Sequence, residues 1–583
     1  MAKAQSDVMA EGILDVKKAR SLRRSVLETL TSPDIKSIAA RYFQKEVGDK
    51  QGRLGIDELR RVLRALNQRV GMPSQTVAQT EQMMKRYDFD GDGMLTCDDF
   101  FDLFVASLRR LAFDPSAYLS REIFVSKQTG QVWDHYKCLK KLGAGSFGAA
   151  FLCKNKRTGD ERCVKQAGKS QVKLPVEDVE REIMVMTQLD HPHVVRLYEW
   201  YEGSTSIYLV MDSLDGGTLR DVVLERFQAR GRGLQEDWIR TVTRQVLDGM
   251  AYCHSQRVMH KDLKDENIML LQKDPNYERP YVVIIDLGVS EMFAGVDNKG
   301  GFQAGTPTTM APEVWSGCFG PKCDVWSVGC VLFELLAGDM PFCARSFDPK
   351  DWRALHKRGP DWSRVLVSPQ GMSLCKSMLA FEDKSRPTMA QCLEHKWFTA
   401  KVDGSKEVSA AQLSRLTDFH AQSALKRSLL MEIAAGLPMK HSQRIVEFFE
   451  KIDTAKGDGG ISKEELTAGF ARCGVNDAKL VAKTFDALDI DGDGVLSFNE
   501  FSAGVLMMFE DLLKDRIRAL FQKHDRNSDG FLDRDELREF LGTAVLAFAA
   551  KATSKSPEEI ISELGTDGRM SYEEVLRLVM AHK

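Results

Sequence analysis

Between Gly143 and Gly329 a series of short motifs stands in one fixed order, and that order constrains the chain more than anything in its composition. Gly143, Ala144, Gly145, Ser146, Phe147 and Gly148 follow a strand-like segment. Glycines there leave backbone N–H groups free to close over phosphate oxygens. Such a turn is common on its own. Lys165, in Arg162-Cys163-Val164-Lys165, stands where the next strand but one would bring a cation to a nucleotide's phosphates, and Glu182 is the carboxylate expected to pair with it from a helix. A lone lysine or glutamate is usually a solvated charge, so these two gain meaning only in the company of the motifs C-terminal to them.

His260-Lys261-Asp262-Leu263-Lys264-Asp265-Glu266-Asn267 has the spacing of a catalytic loop. Asp262 can accept a hydrogen bond from a substrate hydroxyl, Lys264 can steady a moving phosphoryl group, and Asn267 offers an amide oxygen to Mg²⁺. Asp286-Leu287-Gly288 follows the apolar run 281–285, which puts a metal-binding carboxylate at a strand end. Ala311-Pro312-Glu313 and the segment from Asp324 to Gly329 complete the order, with Arg386 as an expected buried partner for Glu313.

Together these residues resemble the eukaryotic protein kinase family over 136–398. The resemblance implies an α+β, bilobal kinase fold with ATP and Mg²⁺ as cofactors, Met211 and Ala150 at the nucleotide, and Asp286 and Asn267 on the metal. Ala150 stands where the family usually has valine. Lys264 with Thr306 looks like the serine/threonine arrangement, in which that hydroxyl braces Asp262 and Lys264. Lys261 replaces the more usual arginine and cannot grip a phosphorylated segment with a bidentate fork. Activity is therefore expected not to require activation-loop phosphorylation, an expectation that loss of activity through a missing phosphate in a Thr308→Ala, Thr309→Ala variant would contradict. Glu266 matches a family acid that attracts basic substrate residues, but Thr218 stands where a second acid is often found.

Twelve-residue Asp/Gly loops flank this region. A calcium loop supplies oxygens from positions 1, 3, 5, 7 and 9, turns at a glycine and closes with an acid at 12. Asp489, Asp491, Asp493, the Val495 carbonyl, Ser497 and Glu500 meet every requirement, as do Asp525, Asn527, Asp529, the Phe531 carbonyl, Asp533 and Glu536. Asp88, Asp90, Asp92, the Met94 carbonyl and Thr96 fit as well, but the closing acid is the shorter Asp99, so weaker binding is expected. Loops 47–58, 453–465 and 563–574 lack ligands and are expected to serve as packing partners.

The length of 583 residues implies several cores, and 43% hydrophobic with 28% charged residues is ordinary for a soluble protein. A net charge of -3 argues against nucleic acid as a partner. The twelve cysteines read as scattered thiols of a reducing compartment. No apolar run is long enough to span a bilayer, and Ala2 offers no acceptor for N-myristoylation. A cytoplasmic monomer acting on protein substrates is expected.

Kinase, amphipathic junction and then four helix-loop-helix units resemble the calcium-dependent protein kinases of plants and alveolate protists over 136–583. The expected domains are an N-terminal EF-hand pair at 1–120, the catalytic domain at 136–398, a regulatory junction helix at 405–440 and a calmodulin-like, all-α domain at 441–583. The N-terminal pair is unusual for plant members. The resemblance implies that Ca²⁺ opens the C-terminal lobes, which regrip the junction; Arg415, Lys426 and Arg427 with the Leu/Phe/Ile stripe from Leu413 to Leu437 would be its anchors. A strut helix, a non-catalytic scaffold and a calcium buffer are the competing readings.

Overall fold

The computed structural model describes 35–47, 52–70, parts of 80–104, 125–145, 148–169, parts of 183–190, 191–287, 306–316, 320–398, 416–453, 459–564 and 569–580, with short gaps inside these ranges that include 491–493. The chain divides into two compact units, each described by itself. The first, N-terminal unit holds helices α1 (Ile35–Val47) and α2 (Ile56–Val70). Leu54 and Leu95 exchange both backbone hydrogen bonds at 2.8 Å, so loop 47–58 pairs with loop 88–99. Phe43, Phe100 and Phe104 are buried beneath them, the first two rings 5.7 Å apart.

The second unit begins with a six-stranded sheet in the order β1-β5-β6-β4-β3-β2. Its strands are β1 (Ser126–Gln128), β2 (Tyr136–Gly145), β3 (Gly148–Asn155), β4 (Glu161–Gly168), β5 (Leu197–Glu202) and β6 (Ser206–Asp212). The five strands from β2 onward pair antiparallel, whereas β1 adds itself parallel to the β5 edge through Ser126, Lys127 and Gln128 opposite Glu199, Trp200 and Tyr201. This edge strand lies ahead of 136, and its three polar residues give no alternation by which to see it. Val125 anchors it in a cluster with Ile183, Met186, Leu197 and Met211.

Below the sheet, helix α3 (Leu219–Val223) leads into α4 (Glu236–Ser255). Trp238, Ile239, Val242, Val246, Leu247 and Met250 recur at helical spacing on α4 and bury one stripe against α5 (Lys322–Ala337). A short ribbon, β7 (Ile268–Leu270) with β8 (Val282–Ile284), lies beside this core with Ile268 opposite Ile284. Arg386 is wholly buried and grips Glu313 bidentately at 2.5 and 2.7 Å, while its other donors reach the carbonyls of Ala380, Phe381 and Lys322. All of its charge is matched, which is what makes a guanidinium tolerable there; removing one partner of such a pair costs roughly 3–5 kcal/mol.

The C-terminal array follows. Helix α6 (Ala424–Ala435) lies in the expected junction segment, and α7 (Met439–Ile452), α8 (Phe498–Leu506), α9 (Glu510–His524) and α10 (Arg534–Thr553, broken at Gly542) are helices of the paired modules. Within its described part the expected junction helix at 405–440 is interrupted after helical Leu416 and Thr417. A 3-10 turn at Asp418–Ala421 follows and α6 starts afresh, because Ser423 caps a new helix start by accepting from the Lys426 N–H, and Pro438 opens α7. Leu413 and Arg415 lie outside the described residues. Degenerate loops pair with complete ones here as well: Ile461 sits opposite Leu496, and Leu532 opposite Met570. No helix among the described residues is long and apolar enough to cross a membrane.

Candidate functional site

The ribbon β7–β8 sets the site. Asn267 immediately precedes β7, Asp286 lies just beyond β8, and the Ile285 N–H donates to the Asn267 carbonyl at 2.9 Å. His260 Nε2 lies 2.9 Å from the Ile285 carbonyl and binds the catalytic loop to the same strand end. Asp324, at the start of α5, takes the backbone N–H groups of both His260 and Lys261 at 2.9 Å and contacts His254 at 2.9 Å. Burial alone would raise the Asp324 carboxyl, but the His254 hydrogen bond and the nearby imidazoles hold it below the usual range. The sequence singled out the segment opening on Asp324 without giving it this clamping task; an acid in the first turn of an otherwise apolar helix was the available signal.

Asp262 Oδ1 accepts from the Thr306 hydroxyl at 2.9 Å, Thr306 Oγ1 also accepts from Lys264 Nζ at 2.9 Å, and Lys264 Nζ stands 3.3 Å from Asp262 Oδ2. The three side chains form a closed triangle. Asn267 Nδ2 donates to the Asp262 carbonyl at 2.8 Å, which leaves its amide oxygen free to turn elsewhere. Lys165 Nζ pairs with Asp286 Oδ1 at 2.6 Å from across the lobes. Lys261 and Asp286 both have φ near +65°, a left-handed conformation rare for such residues and held here by the surrounding bonds. Met211 is buried and lines a small cavity with Met186, Leu189, Leu197, Asp286 and Leu287.

Gly143, Ala144 and Gly145 end β2, and Gly148, Ala149 and Ala150 open β3, with Ala150 opposite both Gly143 and Lys165. A Cβ on Gly148 would come within 1.8 Å of the Gln166 carbonyl, at a φ of +124°, so only glycine lets the turn fold down on β4. Ser146, Phe147 and Glu182 lie outside the described residues. The donors that remain, a lysine cation paired with Asp286 and an asparagine anchored to the Asp262 backbone, fit Mg²⁺-bound ATP. Thr309 is buried, donates its hydroxyl to the Thr306 carbonyl and accepts from Ser327, so it stands as a packed residue, whereas Thr308 is half-exposed.

Of the calcium loops, Asp88, Asp90, Asp92, Asp491 and Asp493 lie outside the described residues. Asp99 spends one carboxylate oxygen on the Thr96 N–H and hydroxyl, at 3.0 and 2.6 Å. In the loop 525–536 the geometry is complete enough to test against an ion. Asp525 Oδ2 accepts from the Gly530 N–H at 3.1 Å, while its buried Oδ1 has no hydrogen-bond partner among the described residues. Gly530 turns at a φ of +84°, and Phe531 opens the short strand whose carbonyl occupies position 7. An unsatisfied buried carboxylate oxygen at position 1 of such a loop fits a hard cation such as Ca²⁺, while among the described residues no three acids stand together as a ligand cluster. Asp489 Oδ2 makes the matching 3.1 Å bond to Gly494, and the Val495 carbonyl lies in the matching strand. Both closing glutamates reach back across their loops, Glu500 to the Ile490 N–H at 2.8 Å and Glu536 to the Arg526 N–H at 2.9 Å.

Leu429, Leu430, Met431, Ile433 and Ala434 of α6 are buried in one core with Phe498, Phe501, Leu537, Phe540 and Leu541 of the modules. Each large side chain contributes roughly 1.5–3 kcal/mol of burial before ordering costs. Lys426 is buried too, and burial lowers its ammonium pKa; Glu432, on the same helix, is pushed up to about 7 by burial against the opposing charge of Lys523.

The face behind the nucleotide cleft carries contacts that no local motif announces. The Asn499 N–H, next to Glu500, donates to Asp190 at 2.6 Å; Asp190 pairs with buried Arg196 at 3.1 Å, and Arg196 stacks over Phe498 at 4.7 Å. The Met439 N–H donates to Asp212 at 3.0 Å, Tyr198 reaches the Leu437 carbonyl at 3.0 Å, and Arg162 reaches that of Gly436 at 3.1 Å. Arg516 of α9 bonds both oxygens of Asp160, at 2.9 and 3.2 Å.

Comparison with known proteins decides between a lone catalytic domain and a fused regulator. The protein kinase domain family matches 136–398; EF-hand families match 50–107 and 514–580 as domain pairs, and 445–471 and 480–506 as single hands. Calcium-dependent protein kinase 7 of Arabidopsis thaliana is 33% identical over 466 residues, covering 76% of this chain and 83% of that protein. The chain belongs to the calcium-dependent protein kinase family. Calcium-dependent protein kinase 10 of the same plant and calcium-dependent protein kinase 2 of Zea mays are each 32% identical, over 80% and 78% of this kinase. It is therefore a serine/threonine protein kinase using ATP and Mg²⁺, with Ca²⁺ as its regulatory ion.

Proposed function

We propose that this kinase is switched by holding its junction helix in the C-terminal modules and those modules on the back of the catalytic lobes. The observation that carries the reading is the Asn499–Asp190 bond, because Asn499 adjoins the acid that closes the calcium loop. Glu500 would hold the ion beside the start of α8, where Phe498 and Asn499 make their contacts with Arg196 and Asp190. That start is preset by a capping box between Ser497 and Glu500. The docked face touches neither Asp262 nor Thr306 among the described residues, so it suits an open, active catalytic cleft.

At the cleft, Asp262 is the base that accepts the substrate hydroxyl's proton, oriented by Thr306 and Lys264. Lys165 orients the phosphates, with Glu182 the carboxylate that the sequence pattern pairs with it, and Asp286 and Asn267 would hold the metal. When bound, Mg²⁺-ATP supplies the phosphoryl group. Positioning and charge neutralisation are most of what such a reaction asks of the protein. The junction is satisfied within its own chain, which supports a monomer, and the described cysteines are free thiols, as suits a cytoplasmic protein.

Truncating Arg516 to alanine removes one ion pair of the docked face and leaves Asp160 largely buried beside Arg162. The ratio of activity in calcium to activity in chelator is expected to fall on the order of tenfold. A ratio equal to that of the unaltered kinase would remove this docking from the switch.

A further inference from the structure

We propose that Arg220 occupies the acidic corner of the peptide cleft as a built-in counter-ion, so that this kinase does not select basic residues in its substrates as its Glu266 alone would suggest. Arg220 Nη1 lies 3.4 Å from Asp265 Oδ2, and its Nε lies 3.7 Å from Glu266 Oε1. Glu266 turns its other oxygen to Lys264, at 3.5 Å, and Lys264 stands 3.3 Å from Asp262. An acceptor hydroxyl must sit at Asp262. An extended peptide advances about 3.3 Å per residue, so this short relay of side chains brings the guanidinium within reach of residues a few places from the acceptor.

The placement is built, not incidental. Thr218 bridges to Met269 of β7, the Leu270 N–H donates to the Gly217 carbonyl at 2.9 Å, and the Gly216 N–H donates to that of Leu270 at 3.2 Å, which pins the start of α3 beside the catalytic loop. Thr218 caps α3 by accepting from the Asp221 N–H, and its own hydroxyl donates to the Asp221 carboxylate at 2.8 Å. It therefore helps to orient Arg220 where an acid could have met a peptide. Asp265 is nearly closed to solvent, whereas Arg220 and Glu266 are each about half exposed at their side chains, 49% and 51%. Arg220 thus meets both Asp265 and Glu266, with Glu334 buried nearby, while Lys264 is shared between Glu266 and Asp262. A third cation, brought in by a peptide, would gain little from acids already paired and would be repelled by the guanidinium.

This rests on the phosphotransfer reading of the cleft. The test is an arginine scan: a serine peptide of alanines carries a single arginine at each of about four positions on either side of the serine, and kcat/KM is measured with calcium present. For the unaltered kinase the arginine-to-alanine ratio is expected to stay within about twofold at every position; for Arg220→Ala at least one position is expected to rise about tenfold. Arg220→Gln removes the charge with less loss of bulk and serves if the alanine variant fails to fold. An unaltered kinase that already prefers arginine tenfold, or a variant with an unchanged profile, overturns the inference. Silence toward every peptide would break the phosphotransfer reading beneath it.

Discussion

Asp262→Asn lowers kcat by about a thousandfold or more, while KM for ATP moves by only a few fold. The asparagine keeps the size of the side chain and an oxygen for the Thr306 hydroxyl, so the triangle with Lys264 loses its charge without losing its shape. What disappears is the group able to take a proton as the acceptor oxygen attacks. Lys165 and Asp286, the proposed nucleotide-side residues, pair with each other at 2.6 Å and are unaltered in the variant. Steady-state kinetics with a protein substrate checks both parameters, and activity within tenfold of the unaltered kinase would remove Asp262 from its role.

Glu500→Gln combined with Glu536→Gln abolishes stimulation by calcium. As the closing acid of a calcium loop each glutamate would supply two charged oxygens to one ion, and a carboxamide would replace that pair with one neutral oxygen and an amide that repels the cation. The backbone donors of Ile490 and Arg526 keep an acceptor in the variant, so the loops retain their turns. In calcium the double variant is expected to run at the rate of the unaltered kinase in chelator, a loss as large as the stimulation itself. Stimulation equal to that of the unaltered chain would assign the switch to other loops.

The parts that proved legible in the sequence are those written within a few residues. The catalytic loop spans His260 to Asn267, and each calcium loop spans twelve residues, because a ligand set or a phosphate turn needs its donors at fixed local offsets. The triangle of Asp262, Lys264 and Thr306 joins positions about forty apart, and only the family resemblance made it visible beforehand. Contacts made at longer range left no local trace. The Asp324 clamp acts across more than sixty residues and the Asn499–Asp190 bond across more than three hundred. Strand β1 escaped for a different reason: its pairing depends on an open edge at Glu199–Tyr201, not on its own residues. The single junction helix expected from the apolar stripe breaks at Ser423 because a cap there outweighs a periodic pattern that continues on both sides.

The contact between ion loop and catalytic body gives the switch a definite sense. If the docked face is the active form, calcium should stabilise it and chelation should release it, with the cleft chemistry unchanged in kind. The most direct measurement traces labelled phosphate from Mg²⁺-ATP onto serine and threonine of a protein substrate, first in calcium and then in excess chelator, with Asp262→Asn as the blank. Transfer that is strong in calcium and falls many-fold in chelator is the predicted result; equal rates in the two conditions, or none above the blank in either, would contradict it.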